Sequence, residues 1–305
     1  MHSSVFNQLS SNRQIMWKFL IHLGAILFST AHSANEVKFE CKTDSRFLEE
    51  NYCWLTDLST ADDQVIVTES SFNLQEQLKF QKPINIILLG NESYPEYFPK
   101  NFTRFLTGVS GFIYDDTSLK YIQRDDFTGL ASPNPLILHL RSNEIEEIPF
   151  DTFYDLTNLL YLDISSNKIK SLASNLLINS IGLHSLSISG NDLTELHQDL
   201  LINCPQLYDL TAEFNQIQEL HEDLFRNNQN MKSISMMYNK IRNIKVDFRK
   251  LKSLHFADFR NNFGTCDVIF STLTPDDKDF DEVDQRKAMK NVPKFQKKIE
   301  KVCRE

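Results

Sequence analysis

Leu159-Leu160-Tyr161-Leu162-Asp163-Ile164-Ser165-Ser166-Asn167-Lys168-Ile169-Lys170-Ser171-Leu172 reads as one structural unit. Leu162 and Ile164 alternate with Tyr161, Asp163 and Ser165, so the two sets project from opposite faces of a short strand. Asn167 stands where that strand must give way to a turn. Its amide both donates and accepts, so it can satisfy backbone groups of its own turn and of a neighbouring one. Leu159, Ile169 and Leu172 complete an apolar side that one unit cannot bury alone. Copies stacked on it are required.

Copies are present. Asn143, Asn167, Asn191, Asn215 and Asn239 follow one another at intervals of 24 residues, and Asn262 follows after 23. The same apolar frame surrounds the others: Leu138, Leu140, Ile145 and Ile148; Leu186, Ile188, Leu193 and Leu196; Leu210, Ala212, Ile217 and Leu220; Ile234, Met236, Ile241 and Ile244. Phe153, Leu177, Leu201 and Phe225 recur 10 residues past the first four asparagines, and Phe248 falls one residue short of that register. Amphipathic helices do not explain the pattern, because a period of about 3.6 does not hold asparagine at constant phase. The pattern is that of leucine-rich repeats. The expected fold is an α/β repeat, a leucine-rich-repeat solenoid with a curved parallel sheet on its concave face.

Two weaker coils extend the array toward the N-terminus. Ile86, Leu88 and Asn91 mark one. Val109, Phe112 and Tyr114, with Thr117 in place of asparagine, mark the other, and both intervals are 26 residues. A weak last coil carries Leu254, Ala257, Phe259 and Asn262. About eight coils are therefore expected over residues 84–262, between an N-terminal cap (34–83, with Val65-Ile66-Val67 a candidate strand) and a C-terminal cap (263–305). In the C-terminal cap an acidic run, Asp276 to Asp284, precedes a basic one expected to be helical, Arg286 to Lys301, with Pro293 expected near a helix start.

Residues 1–33 have the character of a secretory signal peptide. Arg13 and Lys18 precede an apolar run from Phe19 to Phe28, too short to span a membrane, and Ala31-His32-Ser33 supplies small residues at a cleavage site. The remaining chain of about 270 residues is expected to be secreted, without a membrane span. In that compartment the cysteines read as two disulfides, Cys41–Cys53 and Cys266–Cys303. Each ties down an end unit that must cover the exposed core of a repeat stack. Cys204 is left over, either a buried structural thiol or a link to a second chain. Monomer or weak dimer is the expected state. Asn101 and Asn91 each begin an N-x-S/T acceptor; Asn101 lies on a return segment and is the expected glycan site, whereas Asn91 holds a ladder position.

Net charge is -9, which argues against nucleic acid and anionic membranes as partners. No nucleophile elbow, zinc-protease helix or phosphate loop occurs, and only 8 glycines are present, so no cofactor and no enzymatic activity are expected. Glu195-Leu196-His197 and Glu219-Leu220-His221 place two histidines in register, with Asp199 and Asp223 behind them. Two sister coils sharing a solvated flank account for that pairing, and no metal site is expected.

Function is expected on the concave face. Its side chains lie between the leucines: Ile137, His139, Arg141; Tyr161, Asp163, Ser165; Ser185, Ser187, Ser189; Asp209, Thr211, Glu213; Ser233, Ser235, Met237; Phe256, Asp258, Arg260. The predicted ligand-binding residues are His139, Arg141, Tyr161, Asp163, Asp209, Glu213, Phe256 and Arg260. Tyr161, Arg141, Phe256 and Arg260 are the expected anchors, being the large aromatic and arginine side chains that dominate interface energetics.

The signal peptide, the segment with Tyr52-Cys53-Trp54, the two degenerate early coils, the 24-residue array and the small C-terminal cap together resemble the secreted leucine-rich-repeat immune proteins of insects, especially the short mosquito-type members. The resemblance implies a non-enzymatic recognition or scaffold protein of innate immunity that binds an extracellular protein or a microbial surface ligand. Long members carry a C-terminal coiled coil and an extra cysteine for dimers, and some bind complement-like thioester proteins. This chain has one short charged segment there, so neither property is carried over. Toll-like receptor ectodomains look similar in repeat type. An extracellular matrix or cell-adhesion module is the alternative.

Overall fold

A computed structural model describes residues 38–43, 51–57, 84–89, 96–98, 103, 109–131, 133–263, 266, 268–271 and 285–303. The proposed signal peptide, Val65-Ile66-Val67, Asn91 and Asn101 lie outside the described residues.

The strands are β1 (Lys38–Thr43), β2 (Asn51–Asp57), β3 (Ile84–Leu89), β4 (Val109–Asp115), β5 (Leu136–His139), β6 (Leu159–Asp163), β7 (Ser185–Ser187), β8 (Asp209–Thr211), β9 (Glu219–Leu220), β10 (Ser233–Ser235), β11 (Asn243–Ile244), β12 (Phe256–Asp258) and β13 (Ile269–Ser271). One sheet of 11 strands runs β1-β2-β3-β4-β5-β6-β7-β8-β10-β12-β13, and β9 pairs with β11 on the return side. From β2 to β12 the pairing in the large sheet is parallel. Eight of these strands, β3 to β8 with β10 and β12, belong to coils, so the degenerate early coils and the weak last one join the same stack.

The leucine frame turns inward as its alternation requires. Leu162, Ile164, Leu186, Ile188, Leu210, Ala212, Ile234 and Met236 are buried in one continuous core. Each large one contributes about 1.5–3 kcal/mol of burial. In the degenerate coil, rings replace leucines: Phe98 packs on Tyr114 at 4.7 Å and on Phe127 at 5.5 Å.

The ladder asparagines hold the turns. Asn167 accepts from the Ile145 N–H at 3.0 Å and donates to the Leu140 carbonyl at 2.9 Å, both in the coil before it. It also donates to Ile164 of its own coil at 3.1 Å. Asn143, Asn191, Asn215, Asn239 and Asn262 repeat the pattern. Thr117, at the ladder position of its coil, instead donates its hydroxyl forward to Asn143 Oδ1 at 2.7 Å.

Both ends are capped. At the N-terminal end β1 and β2 are antiparallel, with Cys41 opposite Cys53 in the register. At the C-terminal end the disulfide Cys266–Cys303 is present. The strand β13, which the sequence reading did not anticipate, closes the sheet antiparallel to β12. Helix α1 (Gln285–Val302) contains Pro293 in its interior, not near its start as expected. An interior proline costs about 3 kcal/mol. Packing offsets it, because Val292, Phe295, Gln296 and Ile299 are buried on one side of the helix. Phe295 meets Phe270 at 5.1 Å and Phe248 at 5.2 Å, and Gln296 accepts from the Phe248 N–H at 2.8 Å.

Cys204 is buried and free, and burial pushes its thiol up to about 12. A link to a second chain through this residue is thereby disfavoured, since attack requires an accessible thiolate.

Candidate recognition surface

Parallel pairing stacks equivalent side chains into rows along the concave face, neighbouring strands being about 4.8 Å apart. Ile137, Tyr161, Ser185, Asp209, Ser233 and Phe256 form one row, and His139, Asp163, Ser187, Thr211, Ser235 and Asp258 the next. The predicted ligand-binding residues do share this face, but they fall into separate groups.

The first group is a charged cluster over β4 to β6. Arg141 donates its backbone N–H to Asp115 Oδ1 at 2.7 Å and brings its guanidinium to 3.5 Å from the same carboxyl. Burial raises Asp115 to about 7, against the pull of the Arg141 charge. Burial also lowers His139, with Asp163 opposing the shift and Arg141 adding to it. Asp163 accepts from the Ser165 N–H at 2.9 Å and so shapes the strand end. Asp115 belongs to the coil that lacks a ladder asparagine, so no motif marks it in the sequence. It does stand in the row of Arg141 once the coils are stacked.

The second group is an aromatic ladder along the edge where each strand begins. The Tyr161 hydroxyl meets the Tyr208 hydroxyl at 2.9 Å across the intervening coil. His184 lies between them, edge-on to Tyr161 at 6.1 Å and tilted against Tyr208 at 5.5 Å. Lys232 places its ammonium 5.5 Å from the Tyr208 ring centre. His184, Tyr208 and Lys232 were not predicted as site residues. They occupy the position before the concave rows, where the repeat pattern does not say which way a side chain leans.

Between the ladder and the opposite rim lies a floor of small hydroxylated and acidic groups. Ser185 donates to Asp209 at 3.2 Å; burial raises Asp209, and hydrogen bonds from Ser233 and Ser185 oppose that. Glu213 accepts from the Ser235 hydroxyl. At the last coil Arg260 grips the buried Asp258 with two nitrogens, Nε at 3.0 Å and Nη2 at 2.6 Å. Phe256 beside it is half-buried. Arg260 is thus partly engaged within its own strand end.

The histidine pair on the return side serves local turns. His197 Nδ1 accepts from the Asp199 N–H at 3.1 Å, and His221 Nδ1 from the Asp223 N–H at 3.2 Å. No group of three or more His, Cys, Asp or Glu side chains suited to a metal ion is found among the described residues. No described helix is long and apolar enough to cross a membrane.

Comparison with known proteins agrees with this architecture. The leucine rich repeat family model matches residues 136–193. No curated protein matches the chain. Among solved structures, the Toll–Spatzle complex of Drosophila aligns with a TM-score of 0.50 and 24% identity, covering 59% of this chain and 27% of that one. A complex of TLR13 with the RNA ssRNA13 gives 0.48 and 23%, over 56% and 27%. The leucine-rich repeat domain of APL1B gives 0.40 and 24%, over 41% and 36%. The chain spans about a quarter to a third of the length of these structures. The family model, the stacked coils and the ladder asparagines together make the fold of this chain a leucine-rich-repeat solenoid.

Proposed function

We propose that this protein is a secreted, non-enzymatic recognition or scaffold protein of innate immunity, and that it binds an extracellular protein or microbial surface ligand on its concave face. The observation carrying this reading is the concave face itself. Its backbone is satisfied by parallel pairing, and its side chains can engage a partner without rearrangement of the fold. The face presents an Asp115–Arg141–His139–Asp163 charge cluster beside the Tyr161–His184–Tyr208 ladder, the residue types that anchor interfaces. The immune assignment draws on the sequence resemblance to insect immune proteins of this repeat type.

The test is affinity capture from haemolymph with the purified chain and with a Tyr161→Ala/Arg141→Ala variant. A partner retained by the native chain and lost by the variant supports the reading. Equal capture by both moves the site off the concave face.

A further inference from the structure

The net charge of -9 is distributed unevenly. Helix α1 carries 7 of the chain's 32 basic residues and one of its 41 acidic ones, Glu300. Its two long faces differ in kind. Val292, Phe295, Gln296 and Ile299 are buried, whereas Lys294, Lys297, Lys298 and Lys301 are exposed. The four lysines stand at i, i+3, i+4 and i+7. At about 3.6 residues per turn they fall within about 100° of the helix surface, on the side opposite the buried set, and span about 10 Å along the axis.

These lysines are not engaged within the fold. None of the four forms an ion pair or a side-chain hydrogen bond among the described residues. Lysines of the repeat array do: Lys168 pairs with Glu144, Lys170 with Glu146 and Lys245 with Glu219. Glu300 is turned to other partners, accepting from Gln296 Nε2 at 3.3 Å and lying 3.7 Å from Arg249 Nη2. Helix chemistry does not account for the stripe either. Like charges at these spacings repel. The helix dipole favours cations in the last turn, which holds Lys301 but neither Lys294 nor Lys297. Burial of Phe295 and Ile299, with the Cys266–Cys303 bridge, fixes the helix so that the stripe stays turned outward.

A straight row of fixed cations suits a linear polyanion, and the surroundings select among polyanions. A membrane-surface helix seats its apolar face at the headgroup boundary. Here that face is already packed, with Phe295 against Phe248, Phe259 and Phe270. Single-stranded nucleic acid is held by aromatic rings set among cations. The one aromatic residue of α1, Phe295, is in the core. A lysine ammonium is a compact point charge on a flexible stem, without the planar fork of arginine, so it meets a tetrahedral oxyanion from any side. Sulfate esters repeated along a polysaccharide present such oxyanions in a row, and lysine-rich patches take heparin-like chains.

We propose that the Lys294, Lys297, Lys298 and Lys301 face of α1 is a docking surface for a sulfated polysaccharide. The choice of an extracellular polyanion rests on the secreted reading above, but the site uses none of the concave residues. It belongs to the C-terminal cap, so it can hold the protein on a sulfated surface while the concave face engages its own partner.

The test titrates the full chain against heparin at physiological salt. Lys294→Gln/Lys297→Gln/Lys298→Gln/Lys301→Gln should weaken binding by about 100-fold or more, since each lysine near an anionic surface is worth about 5-fold. It should also flatten the salt dependence and leave Tm unchanged, the four side chains being exposed. Arginine at the same four positions should retain binding. Lys168→Gln/Lys170→Gln/Lys240→Gln/Lys245→Gln makes the same change of net charge on the repeat array and should also retain it. Heparin stripped of sulfate keeps its carboxylates and should fail to bind. Phosphatidylserine vesicles and an oligothymidylate should bind more weakly than heparin. Absence of heparin binding, equal weakening by the two glutamine variants, equal binding of desulfated heparin, or tighter binding of vesicles or oligonucleotide overturns the proposal. Loss of heparin binding by Tyr161→Ala/Arg141→Ala would overturn the helix site and place the polyanion on the concave face. Haemolymph capture that survives that change, with heparin binding still dependent on the four lysines, would remove the concave reading and keep the helix site.

Discussion

The side-chain Oδ1 of Asn191 accepts the backbone N–H of Ile169, one coil earlier, at 3.0 Å. The same side chain donates to the Ile164 carbonyl at 3.1 Å and to Ile188 of its own coil at 3.1 Å. One buried amide thus closes two turns. Replacing it by alanine leaves the buried Ile169 N–H without a partner, at a cost of about 1–3 kcal/mol, whereas the Ile164 and Ile188 carbonyls keep the amides of Asn167 and Asn215. Asn191→Ala should therefore lower unfolding free energy by about 1–3 kcal/mol, read from urea denaturation. Loss below about 1 kcal/mol would mean that water reaches the turn.

Asp115 gives the fold a pH dependence of known sign. Its ordinary value is 3.8 and burial raises it to about 7. Between these values the folded state holds a proton that the unfolded chain releases, so stability falls as pH rises from about 4 to about 7 and levels off above. The charged form costs about 2–4 kcal/mol. Asp115→Asn keeps an acceptor for the Arg141 N–H and should remove this slope. Comparing the urea midpoints of native and variant proteins from pH 4.5 to 8 isolates it from Asp126 and Asp209, whose carboxyls are also raised.

The bridge Cys266–Cys303 closes a loop of 37 residues. On the chain-entropy estimate it stabilises by about 4 kcal/mol. A Cys266→Ser/Cys303→Ser protein should lose that amount. Fluorescence of a reporter on α1 should show the cap helix detaching before the repeat array unfolds. A single coincident transition would mean that the Phe295 cluster alone couples the cap to the array.

Cys204 should behave as a core side chain. Burial and its raised value keep the thiolate scarce, so thiol reagents at pH 8 should modify it only at the rate of global unfolding. Rapid modification of the folded protein would show that the return segment opens locally.

Much of the fold could be read before any coordinates. Asparagine at a fixed interval, inside a fixed apolar frame, specifies a stack of coils, because no other arrangement gives every amide a neighbouring turn to satisfy. Local rules mislead where packing competes with them. Pro293 was placed near a helix start on its own propensity, but the burial of Phe295 and Ile299 carries the helix through it. The strand β13 has no repeat pattern; the open edge of β12 is what gives it a partner.

The candidate surface was legible only in part. Alternation alone assigns Tyr161, Asp163 and Asp209 to the concave rows. It could not assign His184, Tyr208 and Lys232 to one ladder, because that follows from how side chains lean across neighbouring strands. It could not show that Phe214 and Tyr238 sit in left-handed backbone, since a left-handed turn is imposed by the ladder bonds of the next coil rather than by the residue itself. The sequence by itself determined the period and the inward and outward sets, which rest on hydrophobic burial and local backbone chemistry. Only the tertiary structure decided which residues 24 or 48 positions apart touch, because that proximity exists only once the coils are stacked.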